Sequence, residues 1–470
     1  MANEGDRAPQ ASLGLLDATM VGIGAMIGAG IFVLTGLAAE IAGPAALLVF
    51  ALNGGVTTFT ALSYAELASA IPKNGGGYAY IRETFSSPVA FVMGWTRWFT
   101  YMAAGALYAL GFSSNFIEFV HLYWTGLPAG PTWQVIYALG AVVSFVALNA
   151  FSTEASGGAE TLVTLIKIGI LAVFIALGMG AVSSATFFGI PPGTSPGLSD
   201  FFSQGALKVL PAMGLTFIAF QGYDLIATVT EEVENPRVNI PRAIFISLVV
   251  TVIIYLLVVG VALGTLGAPR IGEAGERAVV EAAIGFMPDI GIFGASIGAA
   301  LIAFGAVFST ISALNAVIIG SSRIAFAMGR ERQLPGKLGS IHHRYGTPFH
   351  AIVASAAVML IATVVAPINL VGNLASLFSL LGFMVVNLAV IRLRRSQPNL
   401  RRPFEIPYYP IPPILGIVWN LLLGLFISPL TWGIAILWLA IGGVIYLGLN
   451  SEADNFWSHI YTAEPLDQED

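Results

Sequence analysis

Apolar residues run along the chain in long uninterrupted blocks, and short segments between the blocks hold most of the charged residues. A helix needs about 20 apolar residues to cross the hydrocarbon of a bilayer. Twelve blocks reach that length, roughly 13–40, 44–70, 88–118, 131–150, 158–182, 205–230, 242–267, 291–328, 350–366, 369–391, 411–428 and 430–449. They are apolar on all faces, as over 243–266, and lack the two-residue alternation of a membrane β-barrel. The pattern predicts an all-α integral membrane protein of about 12 transmembrane helices, each bonding its backbone within its own span.

Composition removes the alternatives. Only 10% of the 470 residues are charged and 56% are hydrophobic, whereas soluble domains carry about 25% charge. With no cysteine, disulfides, thiolate metal sites and thiol nucleophiles are excluded. A net charge of −6 without a basic run outside short loops argues against nucleic acid. No Gly-Lys-Ser/Thr phosphate loop occurs, so a bound nucleotide is not expected. The five histidines fall in loops or at span ends, and neither a metal site nor an enzyme is read from them. No cofactor is expected.

Lysine and arginine in the loops set orientation. Fourteen of the 20, from Arg7 and Lys73 to Arg401 and Arg402, lie on one side, against Arg270 and Arg277 on the other. Both termini are therefore expected in the cytoplasm, with 1–11 and 450–470 as tails. The longest outer loop, about 270–289, is expected to hold a short helix over 276–286. The first residues, MANEGDRAPQ, do not read as a signal peptide.

Two spans carry signs of interruption. Residues 22–32, GIGAMIGAGIF, place four glycines within nine positions, and each costs about 0.5–1 kcal/mol relative to alanine inside a helix. Close packing through Gly24 and Gly28 would explain them equally well. Span six shifts the balance, because LTFIAFQGYD puts Gln221, Gly222 and Asp224 at mid-membrane depth, where polar groups face a cavity or a partner. The depths match: Ala29 lies 17 residues after Ser12, and Gln221 lies 16 after Gly205. Paired interrupted helices point to a transport site. Unwound segments expose amides on one half-helix and carbonyls on the other, an arrangement that suits the carboxylate and ammonium of an α-amino acid.

Lys167, in AETLVTLIKIGILAVFIALG, sits roughly 14 Å deep in span five at 1.5 Å per residue. Three readings compete: a structural lysine on exposed carbonyls, a salt bridge to Asp224, or a lysine that gains and loses a proton during transport. The last is preferred, since burial favours the neutral amine and makes the intramembrane charge reversible. Elsewhere, Glu66 with Arg82 and Glu83 reads as a clamp between helix ends. Arg323 is a candidate partner for Glu231, Glu232 or Glu234.

Four ordered motifs carry a family resemblance: GIGAMIGAGIF, YAELASAIPKNGGGYAYIRE at 64–83, FIAFQGYD with EEVENPRVNIPRAI, and SSRIAFAMGRERQLP at 321–335. Together they resemble the amino acid/polyamine/organocation transporters, and within them the cationic amino acid transporter-like permeases of prokaryotes. The resemblance implies the leucine-transporter-like fold, an inverted 5+5 repeat over 12–182 and 205–391 followed by two extra helices over 407–449. It implies a multi-pass protein of the prokaryotic cell membrane, whose partners are an amino-acid substrate and the lipid bilayer. Ala29 and Gly30, with Gly28 allowing the turn, would bind the substrate carboxylate. Carbonyls of Met26, Phe217 and Phe220 would take the ammonium, and Ile23, Ala219, Gln221 and Tyr223 would line the pocket. In proton-coupled relatives a span-five lysine replaces a sodium ion, and Lys167 matches it, with Gly24, Ile27, Ser309 and Ser312 as expected partners. Thr100 stands where the cationic branch carries a glutamate, so neutral or broad substrates are expected. The expected activity is proton-coupled symport by alternating access, driven by the proton gradient. Its rivals are exchange by the same fold and a transport-deficient amino-acid sensor.

Overall fold

A computed structural model describes residues 13–73, 75–151, 157–287, 291–292 and 295–461. The described residues are helical almost throughout. It opens with α1 (Leu15–Met26), α2 (Ala29–Ala42), α3 (Ala46–Ala70), α4 (Gly76–Thr84), α5 (Ser87–His121) and α6 (Pro131–Phe151). There follow α7 (Gly157–Gly178), α8 (Ser184–Phe188), α9 (Leu198–Phe201), α10 (Val209–Thr216), α11 (Pro236–Leu266) and α12 (Ala268–Ala274). The last six are α13 (Ala278–Phe286), α14 (Ile297–Arg330), α15 (Phe349–Val365), α16 (Ile368–Ser396), α17 (Ile411–Leu425) and α18 (Pro429–Tyr461). β1 (Gly291–Ile292) and β2 (Ala295–Ser296) form a two-residue antiparallel ladder before α14. Proline opens several of the long helices, as Pro236 in α11 and Pro412 and Pro413 in α17, where its missing N–H forfeits no helical bond.

Among the described residues, eight helical stretches are long and apolar enough to cross a membrane: Leu15–Ala70, Pro131–Phe151, Thr161–Ala181, Leu198–Glu232, Pro236–Leu266, Gly298–Arg330, Ile368–Ser396 and Pro429–Leu449. Phe349–Val365 and Ile411–Leu425 are shorter apolar helices. The first stretch merges the two spans expected over 13–70, because α1, α2 and α3 follow one another with hardly a gap. α5 spans 35 residues but stands outside this set; Arg97 and a polar row lower its hydropathy. Leu162, Leu165, Val173, Ile436 and Val444 are exposed, while Asn53, Arg97, Lys167 and Asp224 are buried. Apolar residues outside and polar residues inside are what a hydrocarbon solvent imposes on a bundle. The chain is a multi-pass helical membrane protein.

The helices pack in two groups. α3 lies along α11, and α1 packs on α11 and α7, whereas α5 lies along α14 and α16. The interrupted spans belong to the first group.

Several boundaries depart from the sequence reading. Span eight begins at Ile297 rather than 291, behind the small ladder. The outer loop holds α12 besides the expected short helix, which starts as a 3-10 turn at Gly275–Arg277. Span twelve continues as helix to Tyr461, into the segment expected to be tail. The expected Glu66 clamp has other partners. Glu66 receives Arg394 through two hydrogen bonds of 2.7 and 2.6 Å, lies 3.6 Å from Arg402, and accepts Ile406 N at 2.8 Å. Arg82 pairs with Glu331 and Glu83 with Lys73, both at 2.7 Å. Glu66 lies on the face of α3 toward α16, and α4 carries Arg82 and Glu83 away from it. Among the described residues no pair joins Arg323 to Glu232 or Glu234.

Candidate functional site

α1 stops at Met26 because Ile27 takes φ −74°, ψ 67° and Gly28 takes φ −112°, ψ −134°, and helix resumes at Ala29. Gly28 is required by its neighbour: a Cβ there would lie 2.6 Å from Ala313 Cβ of α14. Span six is interrupted more severely. After α10 come a 3-10 turn over Phe217–Phe220, extended backbone at Gln221, Gly222 at φ +146°, and a 3-10 segment over Tyr223–Glu232. The sequence predicts the break in this span, with the span ending near 230, but not that the part after the break is 3-10.

The two interruptions touch. A Cβ on Gly30 would lie 2.9 Å from Ala219 Cα, and one on Gly222 would lie 2.7 Å from Met26 N. Neighbouring helices supply partners for the freed backbone of span six. Asn53 donates to Met213 O at 3.1 Å, while Ser376 accepts from Ile218 N at 3.1 Å and donates to Leu215 O at 2.8 Å. From α11, Tyr255 Oη reaches Met26 O at 2.5 Å and Ala219 O at 3.0 Å.

The expected substrate residues gather at this contact. Ile23, Met26, Gly28, Gly30, Phe217, Ala219, Phe220, Gln221 and Tyr223 are buried, and Ala29 opens α2 beside them. None of the ten lines the cavity of about 720 Å³ near the far end of α2, which is bordered instead by Glu40, Phe188, Gln204, Glu273, Glu276 and Asn369.

Lys167 is fully buried. Its Nζ donates to Gly24 O and to Ser312 Oγ, each at 3.1 Å. Of the other expected partners, Ser309 is buried, and among the described residues its Oγ has no hydrogen-bond partner. Below the lysine, Thr164 Oγ1 donates to Met20 O and Thr161 Oγ1 to Asp17 Oδ1, both at 3.2 Å. The three-residue spacing of Thr161, Thr164 and Lys167 puts one polar row of α7 against α1.

The salt bridge weighed between Lys167 and Asp224 gives way to another pairing. Asp224 Oδ2 binds Arg97 of α5, and its Oδ1 accepts from Gly222 N at 3.0 Å, which fixes the turn. Arg97 also donates to Tyr101 Oη at 3.2 Å and stacks over Tyr101 and Phe383. Ser379 gives its one proton to Ala375 O at 2.8 Å, so it accepts from the Gln221 amide at 2.9 Å. The Gln221 oxygen then faces both Arg97 NH groups at 3.1 Å. Lys167 is thus not the one buried cation beside a broken helix. The sequence signal was Arg97 itself, a guanidinium too far inside a long span to reach water, with Asp224 at similar depth in span six.

The profile described as amino acid permease matches residues 13–451. The branched-chain amino acid permease BcaP of Bacillus subtilis (strain 168) is 31% identical over 95% of this chain and 94% of its own length. The methylthioribose transporter of the same organism is 30% identical, with 93% and 92% covered. The serine/threonine exchanger SteT, again from that organism, is 29% identical, with 94% and 98% covered.

Proposed function

Because the chain belongs to the amino acid permease family, we propose that it is a secondary-active transporter of neutral or broad-range L-amino acids, coupled to protons and working by alternating access. The observation that carries this reading is the contact between two unwound segments, with a buried lysine hydrogen-bonded to the last turn of α1 just before the first of them. Amides at the start of α2 meet the carboxylate, and carbonyls at the two interruptions meet the ammonium. The architecture proposed is an inverted repeat over 12–182 and 205–391, followed by helices over 407–449. Both termini face the cytoplasm of a prokaryotic cell, following the loop charges.

Coupling runs through Lys167. In the protonated state Nζ ties α7 to α1 and α14 through Gly24 O and Ser312 Oγ. Loss of the proton removes one donor and the charge, loosens that tie, and frees α1 to move. A neutral side chain on the substrate suits the site, because both oxygens of Asp224 are occupied. The Thr100 hydroxyl also turns back onto Thr96 O at 3.0 Å.

Uptake of labelled amino acids into proteoliposomes is expected to rise when the outside is made acidic, and Lys167→Ala to keep partial binding while losing that response. Uptake that requires sodium and ignores pH sinks the coupling. Equal pH responses in mutant and wild type make the lysine structural. Tyr78, whose phenol burial pushes up to about 12, stays protonated over the whole range and keeps its bond to Gln333, so it does not supply the response. Exchange is the second reading, favoured by the likeness to SteT; counterflow without net uptake would identify it.

A further inference from the structure

The side chain that meets the interruption of span six from α5 is a cation, and the groups around it form a receptor for one. The Arg97 guanidinium carbon stands 5.1 Å from the centre of the Tyr101 ring and 5.4 Å from that of Phe383. Its NH groups face Asp224 Oδ2, the Tyr101 hydroxyl at 3.2 Å and the Gln221 oxygen at 3.1 Å. A carboxylate, two neutral oxygens and two aromatic faces are what binds an alkylammonium or a guanidinium, whatever it is attached to.

The walls of this receptor have anchors other than Arg97. Gly222 N holds Asp224 through Oδ1 at 3.0 Å, and Ser379 Oγ holds the Gln221 amide at 2.9 Å. Phe383 packs against Tyr64 and Tyr223, with ring centroids 5.8 and 5.7 Å away. Taking the guanidinium away therefore leaves the acceptors in place. They also adjoin the two interruptions, since a Cβ on Gly222 would lie 2.7 Å from Met26 N. A long basic side chain that starts from the interruptions is long enough to reach Asp224. In the wild type it gains that carboxylate only by displacing Arg97. One ion pair then replaces another, and the guanidinium left buried without its acid is uncompensated.

We propose that Arg97 is a tethered cation that fills a cation-binding site beside the interruptions, and that by filling it Arg97 restricts the transporter to substrates whose side chains carry no positive charge. The inference rests on the amino-acid reading given above and deepens it. It names the residue that sets the side-chain class. It also implies that the acceptor for a cationic side chain is already built, and that one substitution empties it.

The test compares cationic amino acids with neutral ones of the same length, L-arginine with L-citrulline and L-lysine with L-norleucine, by uptake into proteoliposomes and by melting temperature in detergent. Wild type is expected to favour the neutral member of each pair. In Arg97→Met the preference is expected to move toward the cationic member by at least about tenfold, the scale of one hydrogen bond to a charged group. L-arginine is expected to raise the melting temperature of Arg97→Met, and L-citrulline to leave it unmoved. Arg97→Gln, which offers Asp224 a neutral donor, is the second variant and is expected to move in the same direction. Adding Asp224→Asn to either variant is expected to abolish the change, because the acid that receives the substrate cation is gone. An unchanged preference in both Arg97 variants, or a change that survives Asp224→Asn, overturns the inference and leaves the transport reading standing. Wild type that takes up L-arginine as readily as L-citrulline does the same. Failure of both Arg97 variants to fold also overturns it, by making the guanidinium a pin of the fold. Wild-type vesicles that take up none of the twenty amino acids overturn the transport reading and the inference with it.

Discussion

Arg97 and Asp224 are about 4% and 3% exposed, so each is a charge that the bundle keeps only because of the other. Removing one partner of a buried pair costs about 3–5 kcal/mol, because the other is left uncompensated. Arg97→Met and Asp224→Asn are each expected to lower the unfolding temperature in detergent markedly. The double variant carries no buried charge at this point and is expected to melt above both single variants. A double variant whose loss equals the sum of the singles would show that the two residues are not coupled. Lys167 could be singled out in the sequence because burial of a lone cation is visible from depth alone. The Arg97–Asp224 pair could not be read the same way. Its members are 127 positions apart, and no periodicity within either span says which face meets the other.

Among the elements, span lengths followed from the apolar blocks, while the form of the interruptions did not. Four glycines mark the first break, but only Gly28 lies in the unwound link. Gly22 stays helical, and its missing side chain makes room for Ile226 and Ser247, whose atoms a Cβ would approach to 2.5 and 2.8 Å. One residue type serves two purposes there, and composition does not separate them. In span six the stretch after Gly222 is 3-10 rather than α, because Gly222 at φ +146° aims its amide at Asp224 and restarts the helix in a tighter register. Gly222→Ala meets both a forbidden φ and a clash with Met26 N at 2.7 Å, so strain of about 1–3 kcal/mol falls on the point where the interruptions touch. It is expected to abolish saturable uptake. Gly55→Ala is the control: Gly55 is exposed within α3 and nothing lies within 4 Å of its Cβ position. That change is expected to leave uptake intact and to stabilise by about 0.5–1 kcal/mol. Normal transport by Gly222→Ala would mean that the second interruption is not part of the site.

At the scale of the whole molecule, several weak ties cross the end that collects Arg82, Arg330 and Arg394. Leu13 pairs its backbone with Glu232 O and Glu234 N at 2.9 Å each, Tyr78 donates to Gln333 at 2.8 Å, and Arg82 meets Glu331 at 2.7 Å with both side chains partly exposed. Beneath them Ala227 is fully buried under the backbone at Gly76. The motifs that predicted helix ends here, at 64–83 and 321–335, were legible as sequence, but that they lock against one another follows only from the pairing of Tyr78 with Gln333 and of Arg82 with Glu331. An exposed ion pair contributes about 0–1 kcal/mol, which bounds what the Arg82–Glu331 pair does to opening at about fivefold. The chain has no cysteine, so Ala227→Cys reports alone. Its reaction with a membrane-impermeant maleimide applied from this side is expected to be slow, and Glu331→Gln in the same background to raise the rate no more than about fivefold. Adding Gln333→Ala, which strips the second tie, is expected to multiply that gain. Fast labelling without either change would mean that this end is open at rest. A rate unmoved by both would mean that Ala227 is shielded by packing alone, and the ties would then have no part in closing the pathway.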